Sequence, residues 1–212
     1  MAEFRLHCFP ESGGCYKVAL MLALSGADWE GIWVDYFRGG GETRTPEWKK
    51  RVSVMGEVPV LESDGRSRTQ SGVILTYLSQ KLGRFQGADR EEELRWILFD
   101  NHKFTSYLAT WRFLLGWVKD PDPAVVAFFR TRVENAFRVV EAQLEGRDFL
   151  LGAEPCIADI SLQGYLHYPR EEWPLDMSAY PRIEAWIGRF RAMPGYKPAY
   201  ELLPGARTAY AA

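Results

Sequence analysis

Hydrophobic periodicity changes character once along this 212-residue chain, near residue 82, so two units of different structural class are expected. Before that point the segments are short and alternate in type. Phe4, Leu6 and Cys8 alternate with polar residues, as in a half-buried strand. Between Gly14 and Ser25 the run Val18 to Leu24 is apolar nearly all round, which predicts a buried helix with Gly26 at its stop. Ile32 to Tyr36 reads as a second strand, free to lie parallel to the first because a helix intervenes. After an irregular piece, Val58 to Leu61 reads as a third strand. The turn Ser63-Asp64-Gly65 then leads into a return strand ending near Thr69. Ser71 is expected to cap a helix whose Ile74, Leu75 and Leu78 share one face and which Gly83 closes.

Gly83 to Asp89 is short, polar and glycine-containing, as a linker would be, and beyond it the pattern is helical. Arg90 to Trp117 has no Pro and a single Gly, and Phe129, Val133, Phe137, Val140 and Leu144 recur at helical spacing. Pro181 suits a first turn, and Ile183, Trp186, Ile187 and Phe190 form an apolar stripe that Pro194-Gly195 ends. The reading is a small α/β domain over residues 1–82 and an all-helical domain over residues 90–212. Eight Trp, ten Tyr and twelve Phe exclude a disordered chain, and the length allows a core without disulfides or a structural metal. Lys plus Arg number 26 against 28 for Asp plus Glu, so neither nucleic acid nor an anionic membrane is an expected partner. The longest apolar run, Val18 to Leu24, is far short of the ~20 residues of a membrane span. The first ten residues contain Glu3 and no apolar block, unlike a secretory signal. Cys8, Cys15 and Cys156 are odd in number and lack metal-ligand spacing, which suits a reducing compartment and a cytoplasmic location.

The chemistry is sought first in Pro10-Glu11-Ser12-Gly13-Gly14-Cys15-Tyr16-Lys17, between the first strand and the first helix. Ligands of open α/β sheets gather at carboxyl ends of strands, and a helix start offers free N–H groups there. Ser12 either stabilises an anion at that place or simply caps the helix. It is not a hydrolase nucleophile, since no Gly-x-Ser-x-Gly surrounds it. Nor is Gly39-Gly40-Gly41 a phosphate loop, because no Gly-Lys-Ser/Thr follows. His7, His102 and His167 are scattered without ligand spacing. In Gly56-Glu57-Val58-Pro59-Val60-Leu61, Pro59 removes a ladder donor at a strand start. A cis bond before it would turn the Val58 backbone outward toward a peptide-like ligand. Gln70-Ser71 offers an amide, a hydroxyl and helix-start N–H groups to a carboxylate, or else a plain cap.

Taken together, the Ser-Gly-x-x-x-Lys-Val start of the first helix, Glu-Val-Pro-Val-Leu and Gln-Ser resemble the thioredoxin-like domain of cytosolic glutathione S-transferases. Phe149-Leu-Leu-Gly152, Ile157-Ala-Asp159-Ile160 and Tyr180-Pro-Arg-Ile-Glu-Ala-Trp186 resemble that family's helical domain. The resemblance spans nearly the whole chain in order. It implies an α/β thioredoxin-like N-terminal domain followed by an all-α C-terminal helical bundle, a cis Pro59 and a homodimer. It implies glutathione as co-substrate, no metal, and conjugation to a small apolar electrophile. Ser12 would hold the glutathione sulfur, the Val58 backbone the peptide, and Gln70 and Ser71 the γ-glutamyl group. With Glu57 where a cation is frequent, the glycyl carboxylate is expected to be held by Arg44 or by backbone and water. Phe104, Tyr107, Trp111 and Leu115, on one face of a long helix, either line the electrophile site or are core or dimer contacts. Isomerisation, reduction or dehalogenation on the same scaffold, or a non-catalytic binding role, are the alternatives. Three residues depart from the family pattern: Gly14 stands where Asn is frequent, Glu57 where Lys is frequent, and Cys156 where a hydroxyl usually caps.

Overall fold

Alternation in β1 (Phe4–Cys8) sends Phe4, Leu6 and Cys8 into the core, all fully buried, and turns Arg5 and His7 to the other face. The computed structural model describes residues 2–37 and 41–208, so Gly39 and Gly40 of the glycine run lie outside the described residues. After β1 come α1 (Gly13–Leu24), β2 (Trp29–Trp33), α2 (Pro46–Arg51), β3 (Val60–Ser63), β4 (Arg66–Thr69) and α3 (Ser71–Leu82). The sheet order is β2-β1-β3-β4, with β2 parallel to β1 and both other pairings antiparallel. On the other face of the sheet Trp48 of α2 packs with Val34 and Val60.

Local chemistry explains where these elements differ from the sequence reading. β2 begins at Trp29, three residues before Ile32, and ends at Trp33 rather than Tyr36, whose ring instead stacks on Phe9 at 4.5 Å. The irregular piece contains α2, started by the Thr45 hydroxyl accepting from Trp48 N at 3.2 Å, with Pro46 in the first turn. Ser71 is the first residue of α3 rather than its cap. Gln70 precedes it at φ +64°, and its side chain gives the helix no cap. Gly83 at φ +64° closes the helix as expected.

Two compact units result, one formed by the chain as far as Arg84 together with Pro194–Arg207, the other by Phe85–Met193. Residues 194–207 of the helical domain drawn to residue 212 thus belong to the α/β unit. The reason is local: α9 (Ala199–Leu202) packs on α1, and Tyr16 donates to Lys197 O at 3.0 Å. Gly31 and Gly205 also let the tail approach β2. A Cβ on Gly31 would lie 2.7 Å from Pro204 Cδ, and one on Gly205 would overlap the Trp33 indole.

The second unit contains α4 (Arg90–Phe99), α5 (Thr105–Trp117), α6 (Pro123–Gln143), α7 (Ile157–Leu162) and α8 (Pro181–Arg191). A π-helical turn, Asp100–Phe104, separates α4 from α5, which the sequence reads as one continuous helix. Buried Asp100 holds it, accepting from Thr105 Oγ1 at 2.5 Å and Ser161 Oγ at 2.6 Å. At the start of α7 the carboxylate of Asp159 accepts from Leu150 N, Cys156 N and Trp186 Nε1 at 2.8–3.1 Å. The Cys156 thiol donates to the same carboxylate at 3.3 Å.

Candidate functional site

Strand register decides which residues meet. His7 faces Val60, and Val60 faces Thr69. The chain beyond β1, the Val58–Pro59 bond before β3 and Gln70 after β4 therefore leave the sheet at one end. The Val58–Pro59 bond is cis. A Cβ built on Gly14 would lie 3.4 Å from Pro59 Cδ and 3.6 Å from Ser12 Oγ, so the start of α1 abuts the cis proline. A side chain at this position would meet both at ordinary van der Waals distance.

Ser12 is the N-cap of α1. Its Oγ accepts from Cys15 N at 3.1 Å, and the side chain is largely buried. Cys15, one turn further in, is fully buried. Burial pushes its thiol up to about 12, against lowering hydrogen bonds from Ser12 and the Phe9 backbone. Burial likewise pushes the Cys8 thiol well up. Neither thiol is a nucleophile at neutral pH, which leaves the hydroxyl of Ser12 and the free amides of α1 as the groups offered to a ligand.

Arg44 lies on the short helical turn Glu42–Arg44, and its Nε is 3.7 Å from a Cβ position on Gly41. Lys49, near the end of α2, passes over Gly56 with its Cε 3.2 Å from the corresponding position there. Lys49 is a cation the sequence reading missed, although the Thr45-Pro46-Glu47 helix start was there to be found. Gln70 Nε2 donates to Glu57 Oε2 at 3.3 Å and to Met55 Sδ at 3.6 Å. Gln70, Met55 and Glu57 are exposed, and Ser71 is half-buried.

In the second unit, Phe104 is 1% exposed and stacked on Phe137 at 4.8 Å. Its π-turn position draws it inward, so Phe104 is a core residue rather than a lining one. Tyr107 and Leu115 are half-buried. Trp111 is buried, and its indole N–H finds no protein acceptor among the described residues. Among the described residues no three His, Cys, Asp or Glu come together to hold a metal ion, and no helix is long and apolar enough to cross a membrane.

Comparison with known proteins agrees with this geometry. Residues 6–84 match the family described as glutathione S-transferase, N-terminal domain, and residues 123–189 match its C-terminal domain. A possible glutathione S-transferase from Rhodopseudomonas palustris is 31% identical over 94% of this chain and 98% of its own, with a TM-score of 0.85. The maleylacetoacetate isomerase of Pseudomonas aeruginosa is 25% identical, covering 92% of this chain and 95% of that protein. The disulfide-bond oxidoreductase YfcG of Escherichia coli is 26% identical over 89% and 90%. Both domains match in order, and a solved relative shares nearly the whole fold at 31% identity, so this chain belongs to the glutathione S-transferase family.

Proposed function

We propose that this protein is a cytoplasmic, homodimeric transferase that binds glutathione at this end of the sheet and directs its thiolate at a small apolar electrophile. The observation that carries the reading is the convergence of the Ser12 cap, the cis Val58–Pro59 bond and the Gln70–Ser71 helix start. The Val58 backbone would pair with the cysteinyl residue, and the open N–H groups of α3 with the γ-glutamyl carboxylate. Arg44 and Lys49 are the cations available to the glycyl carboxylate. The Ser12 hydroxyl would donate to the glutathione sulfur, favouring the thiolate. With the thiol proton passed to solvent, the thiolate forms the new C–S bond at the electrophilic carbon as the carbon–halogen bond of an aryl halide breaks and halide leaves. Half-buried Tyr107 is the residue of the second unit proposed to meet the electrophile.

Isomerisation, the activity named for the Pseudomonas aeruginosa relative, would use the same activated thiolate. Thiol-redox chemistry through the protein is disfavoured by the inert Cys15. The test is retention on immobilised glutathione, followed by turnover of a panel of aryl halides, ring-opened dicarboxylates and peroxides. Retention with aryl halide conjugation is expected. Turnover confined to dicarboxylates would make the enzyme an isomerase, and no retention would end the glutathione reading.

A further inference from the structure

Helix α8 has two faces of different chemistry. Ile183, Trp186, Ile187 and Phe190 are buried, and the outer face carries Arg182, Ala185 and Arg189 at i, i+3 and i+7. The chain leaving α6 runs beside that outer face, where Arg147 and Asp148 join Arg182 and Arg189 around a cleft of about 430 Å³. Clefts of ~300–1,000 Å³ hold small molecules. Leu144, Pro181 and Ala185 line the same cleft and give it an apolar wall.

The partners of the three guanidiniums occupy only part of their donors. Arg189 bonds Asp148 at 2.7 Å. Arg182 reaches Glu145 at 3.1 Å and Glu141 at 3.5 Å, two carboxylates outside the lining. The Glu141 oxygens also accept from the Arg182 and Ile183 N–H groups at 3.0 Å, so the start of α8 is already capped and is not what the cleft offers. Arg147 pairs with no carboxylate among the described residues; its Nη1 donates to Gln143 O at 3.3 Å. A guanidinium presents five N–H donors in one plane, and its fork matches the oxygens of a phosphoryl group. The lining carries three positive charges against the one negative charge of Asp148. The excess is close to the charge of a phosphomonoester at neutral pH, which a monocarboxylate would leave half unmatched.

We propose that this cleft binds a small organic phosphomonoester, with Arg147 and Arg189 on the phosphoryl oxygens and the carbon group against Leu144, Pro181 and Ala185. Arg182, engaged by two carboxylates, contributes field more than bonds. Every lining residue belongs to the second unit, and none is among those proposed to hold glutathione, so the assignment does not depend on the glutathione reading.

The experiment is titration calorimetry of the intact protein at neutral pH in Tris-chloride buffer with phenyl phosphate, inorganic phosphate and benzoate. Phenyl phosphate is expected to bind more tightly than either of the others, because it alone offers both the dianion and a ring for the apolar wall. Arg147→Ala is expected to weaken phenyl phosphate about tenfold, the loss of one charge-assisted hydrogen bond. Asp148→Asn removes the carboxylate that competes for Arg189 and is expected to tighten binding about threefold. The two variants act in opposite directions, so a damaged fold cannot mimic the pair. Saturating glutathione should leave phenyl phosphate binding unchanged. No binding of phenyl phosphate, equal affinity for benzoate, or an affinity untouched by Arg147→Ala overturns the proposal. Inorganic phosphate binding as tightly as the ester would make this a free-phosphate site and defeat the organic assignment. Displacement by glutathione would put the ester in the other site and defeat it as well.

Discussion

At the start of α1 a hydroxyl and a thiol stand one turn apart, and their surroundings assign them different work. The Ser12 hydroxyl sits at the helix start beside Gly14 and Pro59, whereas the Cys15 thiol is sealed in the core and held protonated by burial. A hydrogen bond to a charged sulfur is worth ~1.5–3 kcal/mol, or about one to two pKa units on a bound thiol. Ser12→Ala is therefore expected to raise the pKa of bound glutathione and slow conjugation about tenfold or more, with affinity little changed. Cys15→Ala should keep turnover within about threefold, since it removes packing only. Thiolate absorbance against pH, read with turnover, checks both; the reverse ranking would sink the serine mechanism. The cations are a separate matter. Arg44 and Lys49 approach the loop of Gly41 and Gly56, and losing one charge-assisted hydrogen bond corresponds to roughly tenfold in affinity. Calorimetry should show Arg44→Ala and Lys49→Ala each weakening glutathione binding by about that factor, and an unchanged dissociation constant removes the residue from the site.

The elements divide into those fixed by local pattern and those fixed by contact. The C-terminal segment belongs to the second group: nothing in Pro194-Gly195 to Arg207 announces that it returns to α1 and β2. It is held through glycines whose missing side chains admit Trp33 and Pro204. Gly205→Ala would incur both a positive-φ penalty and a clash with the indole. Gly65→Ala incurs only the φ penalty, because nothing lies within 4 Å of its Cβ position. Limited chymotrypsin digestion should therefore cut faster after Tyr200, in the same tail, in Gly205→Ala than in Gly65→Ala, and equal rates would mean the tail does not need this contact. Periodicity made β1, α3, α6 and α8 legible through a buried stripe and α1 through a run apolar nearly all round, with stop signals after α1, α3 and α8. The π-turn left no such trace, since Asp100 acts through Ser161, 61 residues away. Of the candidate site, Ser12, Pro59 and Gln70 were legible as strand-end and helix-start chemistry. Lys49 was missed although its helix start was legible, whereas the Glu57–Gln70 contact was hidden because it joins the segment before β3 to the end of β4. Phe104 has a local cause: the π-turn rotates it into the core, the second of the two readings its spacing allowed.

Whole-molecule properties depend on what is left uncovered and on what titrates inside. Val54 and Met55 in the first unit and Leu94 and Leu98 on α4 in the second expose large apolar side chains, the kind of surface a second copy would bury. Light scattering at micromolar concentration should give twice the chain mass, and Leu98→Glu should shift it toward the monomer; a monomeric unaltered protein would refute the dimer. Acid stability is set by two buried groups with opposite signs. His167, bonded to Gln163 at 2.8 Å, is lowered to about 3 by burial and by the nearby charges of Arg191 and Arg170. Between about 3 and 6.5 the unfolded chain binds that proton and the fold does not, so this contribution is lost as pH falls through the window. Asp159 is raised from 3.8 to about 6, chiefly by burial. Between those values the fold binds the proton and the unfolded chain does not, so its contribution grows as pH falls. Each group changes stability by about 1.4 kcal/mol per pH unit inside its window, and below about pH 6 the two slopes oppose. Asp159→Asn removes the compensating slope, whatever the replacement costs in absolute stability. Relative to the unaltered protein, urea unfolding of that variant should lose stability more steeply between pH 6 and pH 4, while His167→Gln should lose it less steeply. All other titrating groups are common to the three proteins and drop out of the differences, so parallel curves would mean that neither buried group carries the shifted protonation.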